Sequence, residues 1–352
     1  MAYHCGWTNG WGVVSNVSIL GAGAFGTALA LHSASLGHRV RVWAFDEGLP
    51  EAVAAQGENA AYLPGVPLPR EIQFGNDMAE ALGGAELVLF VVPSAYMRRV
   101  SSAAAEWIPD GALITSTAKG IESETLALMS DVMAETLSAH RQRLTFLSGP
   151  SFARDVAASL PADVALAAHD IDVARRVQVI LHAPRFRVYT SDDIVGVELG
   201  GALKNVIAVA CGAAYGLGLG ASALASLMTR GLAEIARLGA ALGANPLTFL
   251  GLAGVGDLTL TCHGELSRNR QMGIRLAKGE RAADIAASQK AVAEGYVSAL
   301  PVHRLAAREG VEMPIAAGVY RVCYEDAGVR DEALRLMSRE MKDELAGVFG
   351  PR

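Results

Sequence analysis

Four cysteines in 352 residues (Cys5, Cys211, Cys262 and Cys323) lie far apart and form no CxxC pair, and the eight histidines are equally scattered. That excludes a disulfide framework and a zinc-like ligand spacing, so a reduced protein with no bound metal is expected. The chain also lacks an excess of positive charge: 30 lysines and arginines against 36 acids leave a net charge of −6. A broad basic face for nucleic acid is thereby excluded. No basic start followed by an apolar run opens the chain, so residues 1–16 read as a flexible leader and the cytoplasm as the expected location. The one long stretch without charge is Val206–Thr229, 24 residues, enough by length to span a bilayer. Gly212, Gly216, Gly218 and Gly220 interrupt it, and Lys204 and Arg230 flank it. The expectation is a buried helix pair with a glycine-rich break rather than a membrane span.

What the chain does have is apolar residues, at 51%, and length for about two domains with real cores. From residue 17 short apolar runs alternate with helical patterns. Val17–Leu20, Arg39–Trp43, Glu71–Phe74, Leu87–Val92, Ala112–Thr115, Leu144–Ser148, Asp163–Ala168 and Phe186–Tyr189 read as strands. Ala24–Leu36, Glu122–Ser138 and Ile171–Leu181 read as helices, and Tyr62–Pro69, with three prolines, as a loop. Such alternation predicts an α/β fold, a doubly wound and mostly parallel sheet covered on both faces, over residues 17–193. After about Asp193 the strand signals stop, and residues 194–352 predict an all-α second domain.

Gly21-Ala-Gly23-Ala-Phe-Gly26 follows the first strand directly and opens an Ala/Leu helix. In that context the spacing points to a dinucleotide. Gly21 permits the turn, Gly23 lets backbone approach a pyrophosphate, and Gly26 lets the helix pack close, with the phosphates meeting the helix N-terminus. Asp46 lies 20 residues past Gly26, where an acid would hold the ribose hydroxyls of NAD. It also lies beyond the second strand's end, free to face solvent. Arg41 would serve a 2′-phosphate only if it faced that end of the sheet, so NAD and NADP both stay open. Pro93-Ser94 ends the next strong strand, where a small loop should lie against the cofactor, although a proline-terminated strand is also ordinary structure.

Two phrases carry chemistry in the apolar half: Glu198-Leu-Gly-Gly-Ala-Leu-Lys204-Asn205, and Gly254-Val-Gly-Asp257 running on to Ser267-Arg268-Asn269. Burying lysine, aspartate and arginine there is expensive unless they pair or meet a charged ligand. Reducing a ketone needs a proton donor or a cation at its oxygen, and Lys204 supplies both. Asp257 would position Lys204 and raise its pKa, whereas Lys119, if near, would lower it; the balance is open at this point. Ser267 is a candidate N-cap, and Arg268 beside that helix start makes a phosphate receptor. Lys119 suits the reacting end or the phosphate. Gly149-Pro150-Ser151 either aims backbone N–H groups inward or is an ordinary helix start, and Glu294 by itself reads as a solvated helix-end glutamate.

Taken together with Tyr62-Leu-Pro-Gly-Val66, Ala118-Lys-Gly-Ile-Glu122, Ser148-Gly-Pro-Ser-Phe-Ala153 and Val292-Ala-Glu-Gly-Tyr296, these phrases make residues 17–340 resemble the bacterial NAD(P)-dependent glycerol-3-phosphate dehydrogenases. The resemblance implies reversible oxidation of sn-glycerol 3-phosphate to dihydroxyacetone phosphate, supply of glycerol 3-phosphate for phospholipid synthesis, and a homodimer. It implies Lys204 as the catalytic lysine, and Lys119, Gly149, Ser151, Asp257, Ser267, Arg268 and Asn269 as substrate contacts, with Asp257 the partner that the residues themselves give Lys204. On the cofactor side it implies Ala24, Phe25, Lys119, Ala153, Arg268, Val292 and Glu294, with Phe45 where many members carry His or Arg. That departure argues against a strong NADP preference. Rivals are two-domain Rossmann dehydrogenases acting on 3-hydroxyacyl-CoA, ketopantoate or 6-phosphogluconate. A dinucleotide sensor without chemistry is another, although the lysine, aspartate and arginine it would have lost are all present.

Overall fold

The computed structural model describes residues 14–288 and 293–341. Residues 1–13 of the expected leader lie outside the described residues, but its last positions are already structural: Ser15 is buried and Asn16 opens the first strand.

The chain forms two compact units. The first takes the described residues up to Ala118, together with 129–147 and 151–194. It is built on eight strands: β1 (Asn16–Leu20), β2 (Arg39–Trp43), β3 (Gln73–Gly75), β4 (Leu87–Phe90), β5 (Leu113–Ser116), β6 (Leu144–Ser148), β7 (Ala162–Ala168) and β8 (Phe186–Ser191). They lie in the order β3-β2-β1-β4-β5-β6-β7-β8, and β1 pairs in parallel with both β2 and β4, as β2 does with β3, β4 with β5, β5 with β6 and β7 with β8. β4 is buried at every position, which is why it reads as an unbroken apolar run rather than an alternating one. The order reverses between β1 and β4, and the carboxyl ends of those two strands form the crevice where open α/β sheets bind ligands. The Ala24–Ser35 helix follows β1 directly.

One helix starts later than its pattern predicts. Instead of Glu122–Ser138, the helix is Met129–Thr136. Residues 119–128 form a loop pinched by an Ile121–Leu128 bridge, with Leu126 at a positive φ of 61°, and this loop belongs to the second unit. Its apolar residues Ile121 and Leu128 are buried in that unit's core, so tertiary packing overrides local helix preference.

The second unit comprises residues 119–128, 148–150 and those from Val195 on, and it is dominated by helices, among them Ile194–Gly216, Gly220–Ala241, Asp257–His263, Arg268–Ala277, Glu294–Arg308 and Pro314–Tyr324. The charge-free run is thus split between two helices. Gly218 and Gly220 hold φ values of +74° and +79° in the break. Upstream, a Cβ on Gly212 would lie 2.0 Å from the Arg270 carbonyl oxygen, so that glycine serves close helix packing. The Ile194–Gly216 helix is long and apolar enough to cross a membrane, yet 89% of its most apolar stretch is buried inside the protein, as expected of a core helix.

Glu234 is buried in this unit and accepts hydrogen bonds from the Ile315 and Ala316 N–H groups at 2.7 and 3.1 Å, capping the Pro314–Tyr324 helix. Burial pushes its carboxyl up to about 7 in spite of those two donors. Glu234→Ala leaves both N–H groups buried without an acceptor and is expected to cost about 2–4 kcal/mol, read as a lowered midpoint in urea unfolding with unchanged slope.

Candidate active site

In the first unit the glycine turn has the shape a dinucleotide requires. Gly21 has φ +119°, and a Cβ there would sit 2.3 Å from the Val91 carbonyl oxygen; one on Gly26 would sit 1.9 Å from the Gly21 oxygen. Gly21 and Gly26 therefore close the turn against β4 and the helix. A Cβ on Gly23 would meet nothing within 4 Å, which leaves the approach to the helix start open. Gly23 stands at the N-cap with no side-chain cap, and no acid occupies the first turn. These residues fit a bound pyrophosphate. Ala24, Phe25 and Ala153 pack at the edge of the same core, Ala153 opening a short helix that lies along the Ala24–Ser35 helix. Pro93 precedes a turn at Ser94–Tyr96 beyond β4.

Past β2, Phe45 is 66% exposed. Asp46 does not simply face solvent, because the Tyr62 hydroxyl donates to its Oδ2, and this bond raises the Tyr62 hydroxyl to about 12. Arg41 points elsewhere: its guanidinium donates to the carbonyls of Glu80 and Gly83 at 3.1 and 2.7 Å and to Gln73.

In the second unit, residues distant in sequence converge on Asp257. This aspartate is 1% exposed at the first position of the Asp257–His263 helix. Lys119 Nζ donates to its Oδ2 at 2.7 Å, and Lys204 Nζ donates to its Oδ1. Lys119 also donates to the Gly149 carbonyl at 3.1 Å. At Gly149 the carbonyl holds a lysine, an arrangement outside the two that the sequence left open, inward N–H groups or an ordinary helix start. Lys204 projects from the Ile194–Gly216 helix and is 6% exposed. Two glycines one turn earlier allow that helix to come so close. A Cβ on Gly200 would lie 2.3 Å from the Ala253 oxygen, and one on Gly201 would lie 2.5 Å from Ser148 Oγ and 3.2 Å from Lys119 Cγ.

Two cations around one carboxylate set the electrostatics. Burial lowers Lys204 to about 8; Asp257 pulls it up and Lys119 pushes it down again. Desolvation, absent from the reading of sequence neighbours, is the largest influence. For Asp257 burial would raise the carboxyl, but the two ammonium groups together outweigh it and hold the group below its ordinary value.

Asn269 is buried and bridges two helices: its Nδ2 donates to Asn205 Oδ1 at 2.8 Å, and its Oδ1 accepts from the Gly295 N–H at 2.8 Å. Ser267 caps the Arg268–Ala277 helix, accepting from the Arg270 N–H at 3.3 Å. Arg268 is exposed at that helix start, with no hydrogen bond among the described residues. Glu294 is only partly exposed; burial raises its carboxyl, and Arg268 and Lys204 both act to lower it. It lies within electrostatic reach of both cations and is no solvated helix end. Ser151 belongs to the first unit, and Val292 lies outside the described residues. The Gly200–Gly201 approach and the Asn205–Asn269–Gly295 bridge escaped the sequence reading. A glycine pair one turn before a buried lysine was the available signal for the first.

Family models for the NAD-dependent glycerol-3-phosphate dehydrogenase N-terminus and C-terminus match residues 16–174 and 193–333. The chain is 46% identical over 333 residues to glycerol-3-phosphate dehydrogenase [NAD(P)+] of Citrifermentans bemidjiense, covering 94% of this chain and 99% of that one. It is 47% identical over 332 residues to the Myxococcus xanthus protein of the same name, with the same coverage of 94% and 99%. Among solved structures it resembles the glycerol-3-phosphate dehydrogenase of Coxiella burnetii, with TM-score 0.88 and 37% identity over 93% of this chain and 99% of that one.

Proposed function

We propose, from the premise that the chain belongs to the NAD-dependent glycerol-3-phosphate dehydrogenase family, that it interconverts sn-glycerol 3-phosphate and dihydroxyacetone phosphate with NAD or NADP. The observation that carries the reading is the buried Lys119–Asp257–Lys204 cluster, which keeps a lysine near its proton-exchange range beside a fixed carboxylate. The first unit is the dinucleotide-binding domain, its Gly21–Gly26 turn holding the pyrophosphate, and the second is the substrate-binding and catalytic domain.

A nicotinamide dinucleotide held at the Gly21–Gly26 turn would supply or take up the hydride. In the reducing direction the Lys204 ammonium gives its proton to the carbonyl oxygen as negative charge develops there. In the oxidising direction the neutral Lys204 amine takes the hydroxyl proton. Asp257 holds Lys204 in place while Lys119, bound to the other carboxylate oxygen and to the Gly149 carbonyl, keeps Asp257 ionised. Arg268 and the helix start capped by Ser267 receive the substrate phosphate, and Asn269 fixes the spacing between that helix and Lys204's helix. The proposal extends to a homodimer working in the cytoplasm and supplying the glycerol backbone of phospholipids.

The direct test is the initial rate of dihydroxyacetone phosphate reduction, followed at the nicotinamide absorbance with NADH and NADPH in parallel. Turnover with either supports the reading; dinucleotide binding without turnover would leave a sensor or a different substrate. A second expectation concerns pH. Because Lys204 sits at about 8, kcat/KM for glycerol 3-phosphate oxidation should rise as pH passes through that value and the amine becomes neutral. For reduction it should fall over the same range as the ammonium is lost. Profiles of the two directions with the same sign of slope would speak against Lys204 as the proton carrier.

A further inference from the structure

Arg39 stands at the amino start of β2, paired in register with Asn16, so towards the carboxyl end that borders the glycine turn the strand offers no free cation for a 2′-phosphate. Arg41 is committed to the Glu80 and Gly83 carbonyls, and Phe45 stands just past the strand's end. A guanidinium reaches that place from another element. Arg99 lies in the Met97–Ala104 helix that follows β4, and its Cζ sits 5.2 Å from the Phe45 ring centroid and 5.3 Å from that of Tyr96. It is exposed and has no carboxylate partner among the described residues, whereas its neighbour Arg98 pairs with Glu135 at 2.7 Å.

β2 and β4 flank β1 on either side, so Arg99 and the two rings sit at the carboxyl ends of the strands that border the glycine turn. In a dinucleotide-binding sheet this is the adenosine end, where an acid meets a ribose hydroxyl or an arginine meets a 2′-phosphate. Asp46 is there too, with its Oδ2 already engaged by the Tyr62 hydroxyl. A 2′-phosphate beside Asp46 needs a cation to offset the repulsion. Arg99 has its N–H donors uncommitted and its planar face supported by aromatic rings, which limits the freedom lost on binding.

We propose that Arg99, held over Phe45 and Tyr96, is the residue that admits a 2′-phosphorylated dinucleotide, so that NADP is accepted although β2 carries no free cation towards its carboxyl end. The inference rests on the dinucleotide reading of the first unit. Its test therefore uses fragments whose binding does not depend on catalysis: ADP-ribose and its 2′-phosphate, titrated calorimetrically against the full chain, Arg99→Ala and Arg99→Lys.

Arg99→Ala is expected to weaken the 2′-phosphate form by roughly 10–100-fold, the scale for a lost charge-assisted pair, and ADP-ribose by less than about threefold. Arg99→Lys should fall between, keeping the charge without the fork. In steady-state assays the NADPH-to-NADH ratio of kcat/KM should drop by the same factor in Arg99→Ala. Equal weakening of both fragments, or no change in either, would overturn the proposal and leave Arg99 as a surface packing residue. If the unaltered chain bound ADP-ribose but not its 2′-phosphate, the proposal would fail and the dinucleotide reading would stand. Binding of neither would remove both.

Discussion

Lys204→Ala is expected to lower kcat by roughly 10²–10⁴-fold in both directions, the usual scale for losing a positioned acid or base. The effect should fall on kcat rather than KM, because the lysine acts most strongly where charge develops on the substrate oxygen. Folding should survive the change. Asp257 keeps Lys119 on its Oδ2, so its buried carboxylate is not left unpaired, and the lost Lys204 was itself paying for burial, as its lowered pKa records. An unchanged thermal midpoint alongside the loss of turnover would separate a chemical from a structural role. Lys204→Arg sharpens the point: it keeps the charge but cannot give up a proton near neutral pH. Glycerol 3-phosphate oxidation should therefore stay impaired in Lys204→Arg, and the rise in kcat/KM near pH 8 should vanish. Near-normal kcat in Lys204→Ala would reject the role outright.

Arg268→Ala is expected to raise KM for dihydroxyacetone phosphate by roughly 10–10²-fold with a smaller change in kcat, since hydrogen bonds to charged groups contribute about 1.5–3 kcal/mol. Arg268 sits at the start of the Arg268–Ala277 helix, where the guanidinium and the helix N-terminus favour the same anion. Ser267 keeps the cap in the variant, because it accepts from Arg270 and not from the mutated side chain. The control is unphosphorylated dihydroxyacetone: its slow reduction should be nearly indifferent to the change, since it has no phosphate to lose. Equal damage to both substrates would place Arg268 elsewhere in the chemistry, and an unchanged KM would count against phosphate binding.

The alternation of apolar runs with helical patterns located all eight strands within about three residues at each end; β4, β5 and β6 are buried at every position and so lack an alternating polar face, while β2 and β8 keep apolar residues at alternate, inward positions. The glycine turn was legible for a similar reason. Its spacing encodes steric needs that are local to one strand–turn–helix unit, and contacts at 2.3 and 1.9 Å from hypothetical Cβ atoms are those needs made visible. Where the reading failed, a distant partner decided. The Glu122–Ser138 pattern has the composition of a helix, yet its first half is held as a loop by burying Ile121 and Leu128 in the core of the second unit.

The residue types of the candidate active site were present in the sequence as charged phrases in an apolar half, since buried charge requires a partner and so advertises one. Their pairing was not. Lys119, Lys204 and Asp257 are separated by 53 to 138 positions, and only the folded chain shows that one carboxylate serves both lysines. The protonation of Lys204 was equally hidden. From the sequence, Asp257 and Lys119 pull it in opposite directions, and the deciding influence is burial of the ammonium, a property of everything packed around it. Sequence alone therefore determined the family, the sheet and the chemical vocabulary of the site, all of which follow from local spacing and composition. Tertiary structure decided which charged groups pair, which arginine lies over Phe45 and Tyr96 beside the glycine turn and which glycines exist for close approach, because those depend on distances between segments that no local pattern records.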